Sequence, residues 1–257
     1  MAMDNILAHK RITASAPCRI DLGGTLDIRS FYYPLRHLAP CTFNIAVQLR
    51  TTVQLRPYEK GRVKVTSRGF APADYALEEA PFDHPVGFVF AIATYFGLAG
   101  VHIDIQSASP PRSALGGSSA AGVALIGAFD RAMAATGAKA LTRRATAILA
   151  HALEESVAGV PCGLQDQLAA VYGGVNAWHW PGEMHGPPFR RATVIKKNGH
   201  ARLARHILLA YCGVPHVSKD INSEWVRQFL SGRFRHQWRE IVVTTQRFVR
   251  ALAKGDW

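Results

Sequence analysis

The feature that most constrains the fold is an alternating, strand-like segment that leads through a short loop into an alanine-rich helix. Residues 101–106 alternate apolar and polar side chains, which is typical of a half-buried strand. Small residues and prolines fill the loop at 107–119. The run 120–135 has the composition of a helix and is closed by Thr136 and Gly137. We therefore expect a strand–loop–helix unit in which the amino end of the helix faces outward.

The start of this helix has the chemistry of a phosphate site. In residues 110–121, Pro-Pro-Arg-Ser-Ala-Leu-Gly-Gly-Ser-Ser-Ala-Ala, Gly116 and Gly117 lack side chains, so a ligand can approach the backbone. Unpaired N–H groups and the positive end of the helix dipole favour an anion there. Ser118 and Ser119 add hydroxyls that can cap the helix, bind phosphate oxygens or join a Mg²⁺ shell. The loop matches neither a Walker A loop nor a dinucleotide fingerprint, so a capping turn without a ligand stays an alternative on chemistry alone.

Two carboxylates follow around a glycine-punctuated turn. Residues 154–167 read Glu-Glu-Ser-Val-Ala-Gly-Val-Pro-Cys-Gly-Leu-Gln-Asp-Gln and join a predicted helix at 142–157 to a short one at 164–171. The turn lets Glu154 and Asp166 converge from two helices. Mg²⁺ prefers one or two carboxylates with phosphate oxygens, and a hydroxyl that attacks a phosphoryl group benefits from a carboxylate that accepts its proton. Taken alone, the same acids would also fit a solvated helix end and a first-turn partner of a helix dipole.

Both motifs resemble those of the GHMP kinases, named for galactokinase, homoserine kinase, mevalonate kinase and phosphomevalonate kinase. Residues 110–121 are similar to the family's second motif, close to Pro-x-x-x-Gly-Leu-Gly-Ser-Ser-Ala. Ala114 stands at the usual first glycine, and Gly117 is an additional small residue before the serines. Residues 154–167 resemble the galactokinase stretch Glu-x-x-x-x-Gly-x-x-Cys-Gly-x-x-Asp-Gln with the same spacing.

The resemblance implies a role for each matching residue. It implies ATP and Mg²⁺ as cofactors and phosphorylation of a hydroxyl on a sugar or sugar phosphate. Asp166 would be the general base, or an electrostatic aid, for the attacking hydroxyl. Ser119 and Glu154 would hold Mg²⁺, with Glu155 as the alternative if the register differs by one residue. The nucleotide would be bound by Leu115, Gly116, Gly117, Ser118, Ser119 and Ala120.

An amino-terminal segment resembles the first motif of the same family. Residues 16–27, Ala-Pro-Cys-Arg-Ile-Asp-Leu-Gly-Gly-Thr-Leu-Asp, are similar to Ala-Pro-Gly-Arg-Val-Asn-Leu-x-Gly-Glu-His-Thr-Asp of galactokinases. Arg19 would then lie near Asp166, where a fixed cation lowers a carboxylate's pKa and stabilises transferred charge. Asp27 would hold sugar hydroxyls. Cys18 replaces a glycine, the Glu-His pair is absent and the interval from arginine to aspartate is one residue shorter. The Gly-Gly-Thr variant is more like those of heptose-phosphate and fucose-type kinases.

A later segment resembles the strand and loop that face the acceptor in those sugar kinases. Residues 208–218 read Leu-Leu-Ala-Tyr-Cys-Gly-Val-Pro-His-Val-Ser, and a strong strand is predicted at 206–211. Ser218 is therefore a candidate substrate-binding residue. An ordinary core strand followed by a turn explains Ser218 equally well.

The resemblance predicts an α+β fold with the two-domain GHMP kinase arrangement. The amino-terminal ATP-binding domain, similar to ribosomal protein S5 domain 2, would span 11–173, and a ferredoxin-like domain would span 174–257. No third glycine-rich motif follows Gly213, so we expect a C-terminally truncated member with an incomplete second domain. Two alternatives stay open: a catalytically impaired sugar or nucleotide sensor, which the missing motif favours, and a GHMP-type decarboxylase.

The remaining elements follow from the same patterns of periodicity and turn residues. The apolar run at 85–101 contains three glycines and is too short for a membrane span, so a buried helix is predicted within it. A proline-punctuated, polar connection precedes it at 72–85. Further predicted strands lie at 42–55, 62–66 and 191–196, and further predicted helices at 86–96, 223–230 and 234–254.

Composition limits other classes of function. The four cysteines are scattered without a Cys-x-x-Cys pair, which argues against a zinc ribbon or disulfide framework and predicts reduced thiols in the cytoplasm. No signal peptide is visible. The net charge of +12 is concentrated in residues 190–257, with 14 Lys and Arg against 4 Asp and Glu. Because these charges alternate with apolar positions, solvated helix faces are favoured over a nucleic-acid surface. We expect a small-molecule substrate, no nucleic-acid or membrane partner, and a homodimer as an option.

Overall fold

One mixed sheet organises the chain in this computed structural model, which describes residues 6–7, 11–183, 185–214 and 218–256. Within these residues the sheet has seven strands in the order β4-β3-β5-β2-β6-β7, with β1 paired to β2. The strands are β1 (Ile12–Asp21), β2 (Cys41–Pro57), β3 (Arg62–Ser67), β4 (Ala73–Ala76), β5 (Val101–Ser107), β6 (Val175–His179) and β7 (Arg190–Ile195).

Strand β2 is central in the sheet because it is long enough to pair with three other strands. It runs for 17 residues. One edge pairs antiparallel with β1, while the other edge pairs first with β6 and then with β5. The pair β3–β5 is parallel, and the other pairs are antiparallel. This arrangement places the end of β1 and the end of β5 on opposite sides of the same strand.

Eight helices of the described residues surround the sheet. They are α1 (Arg29–Leu35), α2 (Gly87–Phe96), α3 (Gly117–Ala134), α4 (Arg143–Ala158), α5 (Gln165–Tyr172), α6 (His200–Ala204), α7 (Ser218–Leu230) and α8 (Arg235–Lys254). Local signals fix the ends of α4: the Thr142 side chain accepts a hydrogen bond from the Ala145 amide, and Gly159 ends the helix in the left-handed region. Residues 159–164 therefore form a non-helical connection between α4 and α5.

The largest core cluster lies between the sheet and helices α2 and α3. Helix α3 is rich in alanine and glycine because it packs closely against its neighbours. A Cβ atom added at Gly122 would lie 2.4 Å from the ring of Phe88. The Ala120 and Ala128 side chains are fully buried. This close packing fixes α3, and thus its amino end, against β1 and β5.

A second core cluster attaches the last two helices to the rest of the chain. Phe31 of α1 stacks on Trp238 of α8 with ring centroids 4.0 Å apart and meets Phe229 of α7 edge-on. Trp178 and Trp180 complete the cluster and are almost wholly buried. These contacts hold α7 across the opening described below. None of the described helices is both long and apolar enough to cross a lipid bilayer.

The predicted α+β fold is confirmed, with corrections in two regions. The strand predicted at 206–211 is wrong: this segment has no regular structure, and the Leu208 side chain is 93% exposed. A strand needs a hydrogen-bonding neighbour, and among the described strands none pairs with this segment. The predicted connection at 72–85 contains the short strand β4.

The division into 11–173 and 174–257 stays a prediction. Strands β6 and β7 lie beyond its boundary, and they continue the same sheet through pairing of β6 with β2.

Candidate active site

A cavity of about 700 Å³ opens at the amino end of α3. Its walls are the end of β1, the loop from β5 to α3, the start of α5 and one side of α7. The predicted site residues that line it are Arg19, Asp27, Leu115, Gly116, Gly117, Ser118, Ser119, Glu154 and Asp166. Segments separated by more than 200 residues in the chain, from Arg19 to Trp225, thus meet in one opening.

The amino end of α3 faces this cavity without a side-chain cap. Gly116 precedes the helix in the left-handed region at φ 70°, no side chain caps the helix, and its first turn contains no acidic residue. A Cβ atom at Gly116 would lie 3.3 Å from Asp166 Oδ2 and 3.4 Å from Arg19 Cγ. Glycine therefore allows the helix start to approach both side chains, and the free first-turn amides fit a phosphate group.

The loop before α3 bends through two non-glycine residues with positive φ. Arg112 has φ 54° and Ala114 has φ 59°. Arg19 holds this bend, because its Nη1 donates to the Ala114 carbonyl and its backbone amide donates to the Leu115 carbonyl at 2.9 Å. Ala114 thus occupies a conformation that favours glycine, the residue found at this point of the motif it resembles.

Replacing Ala114 by glycine is expected to raise the free energy of unfolding by about 0.5–1 kcal/mol, because relief of the left-handed strain exceeds the added backbone entropy. Urea unfolding measures the change. Ala121→Gly, inside α3, is the matched control and should lower stability by about 1 kcal/mol. Equal losses in both variants would contradict this account of the loop.

Arg19 and Asp166 form a two-point ion pair at the centre of the cavity wall. Arg19 Nε lies 2.7 Å from Asp166 Oδ1, and Arg19 Nη2 lies 2.8 Å from Oδ2. Burial works against the guanidinium charge, but the attraction and hydrogen bonds of Asp166 leave the pKa of Arg19 above its ordinary value. The side chains are 15% and 24% exposed, so the pair is fixed and still reaches the opening. The predicted proximity of these two residues matches the geometry.

Glu154 lies beside the serines of α3. Ser119 Oγ donates to Glu154 Oε2 at 2.8 Å, and Gln167 Nε2 donates to the same oxygen at 2.7 Å. Burial raises the pKa of Glu154 above its ordinary value, although hydrogen bonds from Ser119, Ser118 and Gln167 oppose the shift. A nearby cation would favour the charged form of this carboxylate.

Glu155 points elsewhere. Its Oε1 accepts a hydrogen bond from the Cys162 amide at 3.3 Å, and its Oε2 lies 3.6 Å from Arg29 Nη2. Of the two candidate carboxylates, therefore, Glu154 adjoins Ser119 and the start of α3, while Glu155 stabilises the turn before α5.

The oxygen atoms near Ser119 suit a hard cation that also binds phosphate. Over the ranges 6–7, 11–183, 185–214 and 218–256, no group of three or more His, Cys, Asp or Glu side chains forms a complete metal site. Mg²⁺ commonly takes only one or two carboxylates and completes its shell with phosphate oxygens and water. Glu154, with the two serine hydroxyls, fits that requirement.

Asp27 lines the cavity, although only 2% of its surface is exposed. Its Oδ2 accepts a hydrogen bond from the Gln165 amide at 2.9 Å, which anchors the first residue of α5. A Cβ atom at Gly163 would lie only 1.9 Å from Oδ2, so glycine is required for this contact. Burial raises the pKa of Asp27 to about 7, with the neighbouring charges of Asp166 and Asp21 adding to the shift. Its role toward sugar hydroxyls stays a prediction.

The raised pKa of Asp27 predicts a pH-dependent stability. An unfolded aspartate titrates near 4, so between about pH 4 and 7 the folded chain binds the extra proton. This contribution to stability is complete below about pH 4 and is lost as the pH rises through about 7. From pH 4 to 8, the wild type should lose on the order of 3 kcal/mol relative to Asp27→Asn. Urea unfolding of both proteins across this range tests it, and parallel curves would contradict it.

Sequence reasoning missed three polar residues of the site. Asp21 Oδ1 accepts from the Gly23 amide at 3.0 Å, and Gln165 Nε2 donates to Asp21 Oδ2 at 3.0 Å. Gln167 contacts Glu154 and Ser119. All three stand inside the motifs quoted above, but their spacing does not reveal which side chains they meet.

One predicted residue, Ala120, is not brought into the cavity, and the prediction for Ser218 falls on a side chain outside the described residues. Ala120 is fully buried in the core and its amide donates to the Gly116 carbonyl at 2.9 Å, so it supports α3 and has no free group for a nucleotide. Ser218 is the first residue of α7, and its side chain lies outside the described residues. Residues Ile221, Asn222 and Trp225 of the same helix line the opening.

The central part of the chain matches a known protein family. Residues 84–174, which include α2 to α5, match the family described as GHMP kinases N terminal domain. The predicted resemblance to the GHMP kinases is therefore confirmed. The mevalonate kinase of Thermococcus gammatolerans is 25% identical over 202 residues, which is 72% of this chain and 56% of that protein. The chain spans about half the length of the curated relatives it matches.

Solved structures share the fold at low sequence identity. A D-glycero-D-manno-heptose 1-phosphate kinase from Bacteroides thetaiotaomicron gives a TM-score of 0.62 at 16% identity and covers 95% of this chain and 74% of that one. Lactococcus lactis galactokinase, complexed with galactose, also gives 0.62 at 16% identity, covering 96% and 71%. The chain thus has the fold of GHMP-type small-molecule kinases.

Proposed function

We propose that this chain transfers the γ-phosphoryl group of ATP to a hydroxyl of a small molecule, and that the acceptor is a sugar or sugar phosphate. The observation that carries the proposal is the meeting of Asp166 with the start of α3. The Asp166 carboxylate lies 3.3 Å from the position a Cβ would take at Gly116. A carboxylate held that close to an anion-binding helix end is suited to act on a group that attacks a bound phosphate.

The start of α3 binds the phosphates in this proposal. The free amides of its first turn, from Gly117 to Ser119, donate to phosphate oxygens, and the exposed Ser118 hydroxyl adds a further donor. Ser119 and Glu154 would hold Mg²⁺, which would neutralise charge on the phosphate oxygens. Leu115 supports the loop, because its carbonyl accepts the hydrogen bond from the Arg19 amide and its side chain packs against the core.

Asp166 and Arg19 act on the acceptor side. Asp166 orients the acceptor hydroxyl and takes its proton. Arg19 holds both carboxylate oxygens and supplies a fixed positive charge as negative charge moves during transfer. Asp27 anchors α5 through the Gln165 amide and stays a candidate for holding an acceptor hydroxyl.

The charge of the acceptor wall favours a polyhydroxyl substrate. Three carboxylates, Asp21, Asp27 and Asp166, line the cavity around Arg19, and the guanidinium groups of Arg68 and Arg112 line it as well. The three carboxylates can accept hydrogen bonds from several hydroxyls of one acceptor. The structural likeness to heptose-phosphate kinase and galactokinase supports a sugar, whereas the curated relatives act on mevalonate, so both classes belong in the test.

An ADP-release assay tests this function. Hexoses, heptose phosphates, uronic acids and mevalonate are offered with ATP and Mg²⁺, and one sugar or sugar phosphate is expected to raise ADP formation well above hydrolysis without acceptor. Nucleotide binding without ADP formation from any acceptor would instead indicate a sensor. Release of CO₂ would indicate a decarboxylase.

A further inference from the structure

Gln167 connects the helix of Asp166 to the carboxylate of Glu154. It lies in the first turn of α5 and is 2% exposed. Its Nε2 donates to Glu154 Oε2 at 2.7 Å and lies 3.3 Å from Ser119 Oγ. Ser119 Oγ itself donates to the same Glu154 oxygen at 2.8 Å. Two side chains from two helices therefore donate to one carboxylate oxygen on a third helix.

Burial of the Gln167 amide leaves one of its polar atoms without a hydrogen-bond partner, as burial of Gln165 also does. Gln167 Oε1 is buried and has no hydrogen-bond partner among the described residues, so the chain retains a polar group that an apolar side chain of similar size would avoid. The other end of the same amide, Nε2, is bonded to Glu154, and this contact is what distinguishes Gln167. A buried side chain that bonds directly to candidate metal ligands is typical of a group that orients those ligands.

The neutrality of Gln167 matters as much as its position. A lysine at this point would pair with Glu154 and cancel its charge. The amide donates a hydrogen bond without a charge, so the carboxylate keeps its full attraction for a cation.

We propose that Gln167 is a positioning residue that fixes Glu154 and Ser119 in the orientation required for a divalent cation. The inference rests on the proposed function, because it uses Glu154 and Ser119 as the cation ligands. Asp166 and Gln167 are adjacent in the first turn of α5. This turn therefore holds the Asp166 carboxylate against Arg19 and, through Gln167, orients the Glu154 carboxylate for the cation. The phosphate-side and acceptor-side groups thus share one rigid support.

The experiment measures how much a cation strengthens nucleotide binding. Calorimetry gives the dissociation constant of ADP with EDTA and with Mn²⁺, and the ratio of the two is the contribution of the metal. Gln167→Met keeps the length of the side chain and removes its hydrogen bonds. We expect this ratio to fall about tenfold, while ADP affinity in EDTA changes by less than about twofold.

Gln165→Met is the matched control. Gln165 is equally buried in the same helix turn, at 3% exposed, but bonds to Asp21 and not to Glu154. In the Gln165→Met variant, the ratio of the ADP dissociation constants in EDTA and in Mn²⁺ should stay within about twofold of the wild-type ratio. If Gln167→Met does not fold, Gln167→Asn, which is too short to reach Glu154, is judged by the same ratio.

Two results would overturn the inference while leaving the proposed function intact: an unchanged ratio in the Gln167 variant, or equal losses in the Gln165 and Gln167 variants. A wild-type chain whose ADP affinity is the same with Mn²⁺ and with EDTA would overturn both the inference and the assigned metal site.

Discussion

Asp166→Asn is expected to reduce turnover by about a hundredfold to ten-thousandfold while leaving nucleotide affinity nearly unchanged. The amide cannot take the proton of the acceptor hydroxyl, and it offers Arg19 one acceptor oxygen in place of the two it now binds at 2.7 and 2.8 Å. Nucleotide binding is assigned to the amides of α3, which the substitution does not touch. Turnover from ADP release and the dissociation constant of ADP·Mg²⁺ from calorimetry give the two quantities.

Asp104→Asn is the control for this change. Asp104 lies on β5, outside the cavity, and bonds to Arg56 and Thr66. The turnover of the Asp104→Asn variant should match that of the wild type. If Asp166→Asn loses nucleotide affinity and turnover together, the assignment of Asp166 to the acceptor side is wrong.

Glu154→Gln is expected to lower turnover at millimolar Mg²⁺ by about a hundredfold or more, because the loss of a carboxylate ligand removes several kcal/mol of charge stabilisation around the phosphates. Higher Mg²⁺ concentrations should restore part of the activity. Since burial raises the pKa of Glu154, the wild type should also lose metal binding at a higher pH than an ordinary glutamate ligand would, as this group is protonated. Titration of the activity with Mg²⁺ measures the effect.

Glu155→Gln provides an internal comparison because the two residues are adjacent and chemically identical. Glu155 bonds to the Cys162 amide and lies near Arg29, away from Ser119. Its replacement should change the Mg²⁺ requirement by less than about threefold, in keeping with a partly exposed ion pair. A larger effect at Glu155 than at Glu154 would reverse the assignment.

The part of the site that sequence could predict consists of local backbone features. The loop at 110–121 and the helix after it follow from glycines, serines and an alanine run, and α3 begins at Gly117 as that pattern requires. The spacing of Glu154 and Asp166 around a turn indicated two converging carboxylates, and both line the cavity.

The parts that escaped prediction depend on partners far away in the chain. Gln167 reaches Ser119 across 48 residues, and no local pattern identifies that contact. The segment 206–211 has strand-like composition, but composition cannot supply the neighbouring strand that would pair with it. Ala120 fits the motif by position, and only the packing of α3 reveals that it faces the core.

The most direct test of this account is a crystal structure of the chain with the β,γ-imido analogue of ATP and Mg²⁺. We expect the β- and γ-phosphates against the amides of Gly117 to Ser119, the cation beside Glu154, and the γ-phosphate on the side of Asp166. A nucleotide bound away from the start of α3, or bound there with its base toward Asp166, would contradict the account.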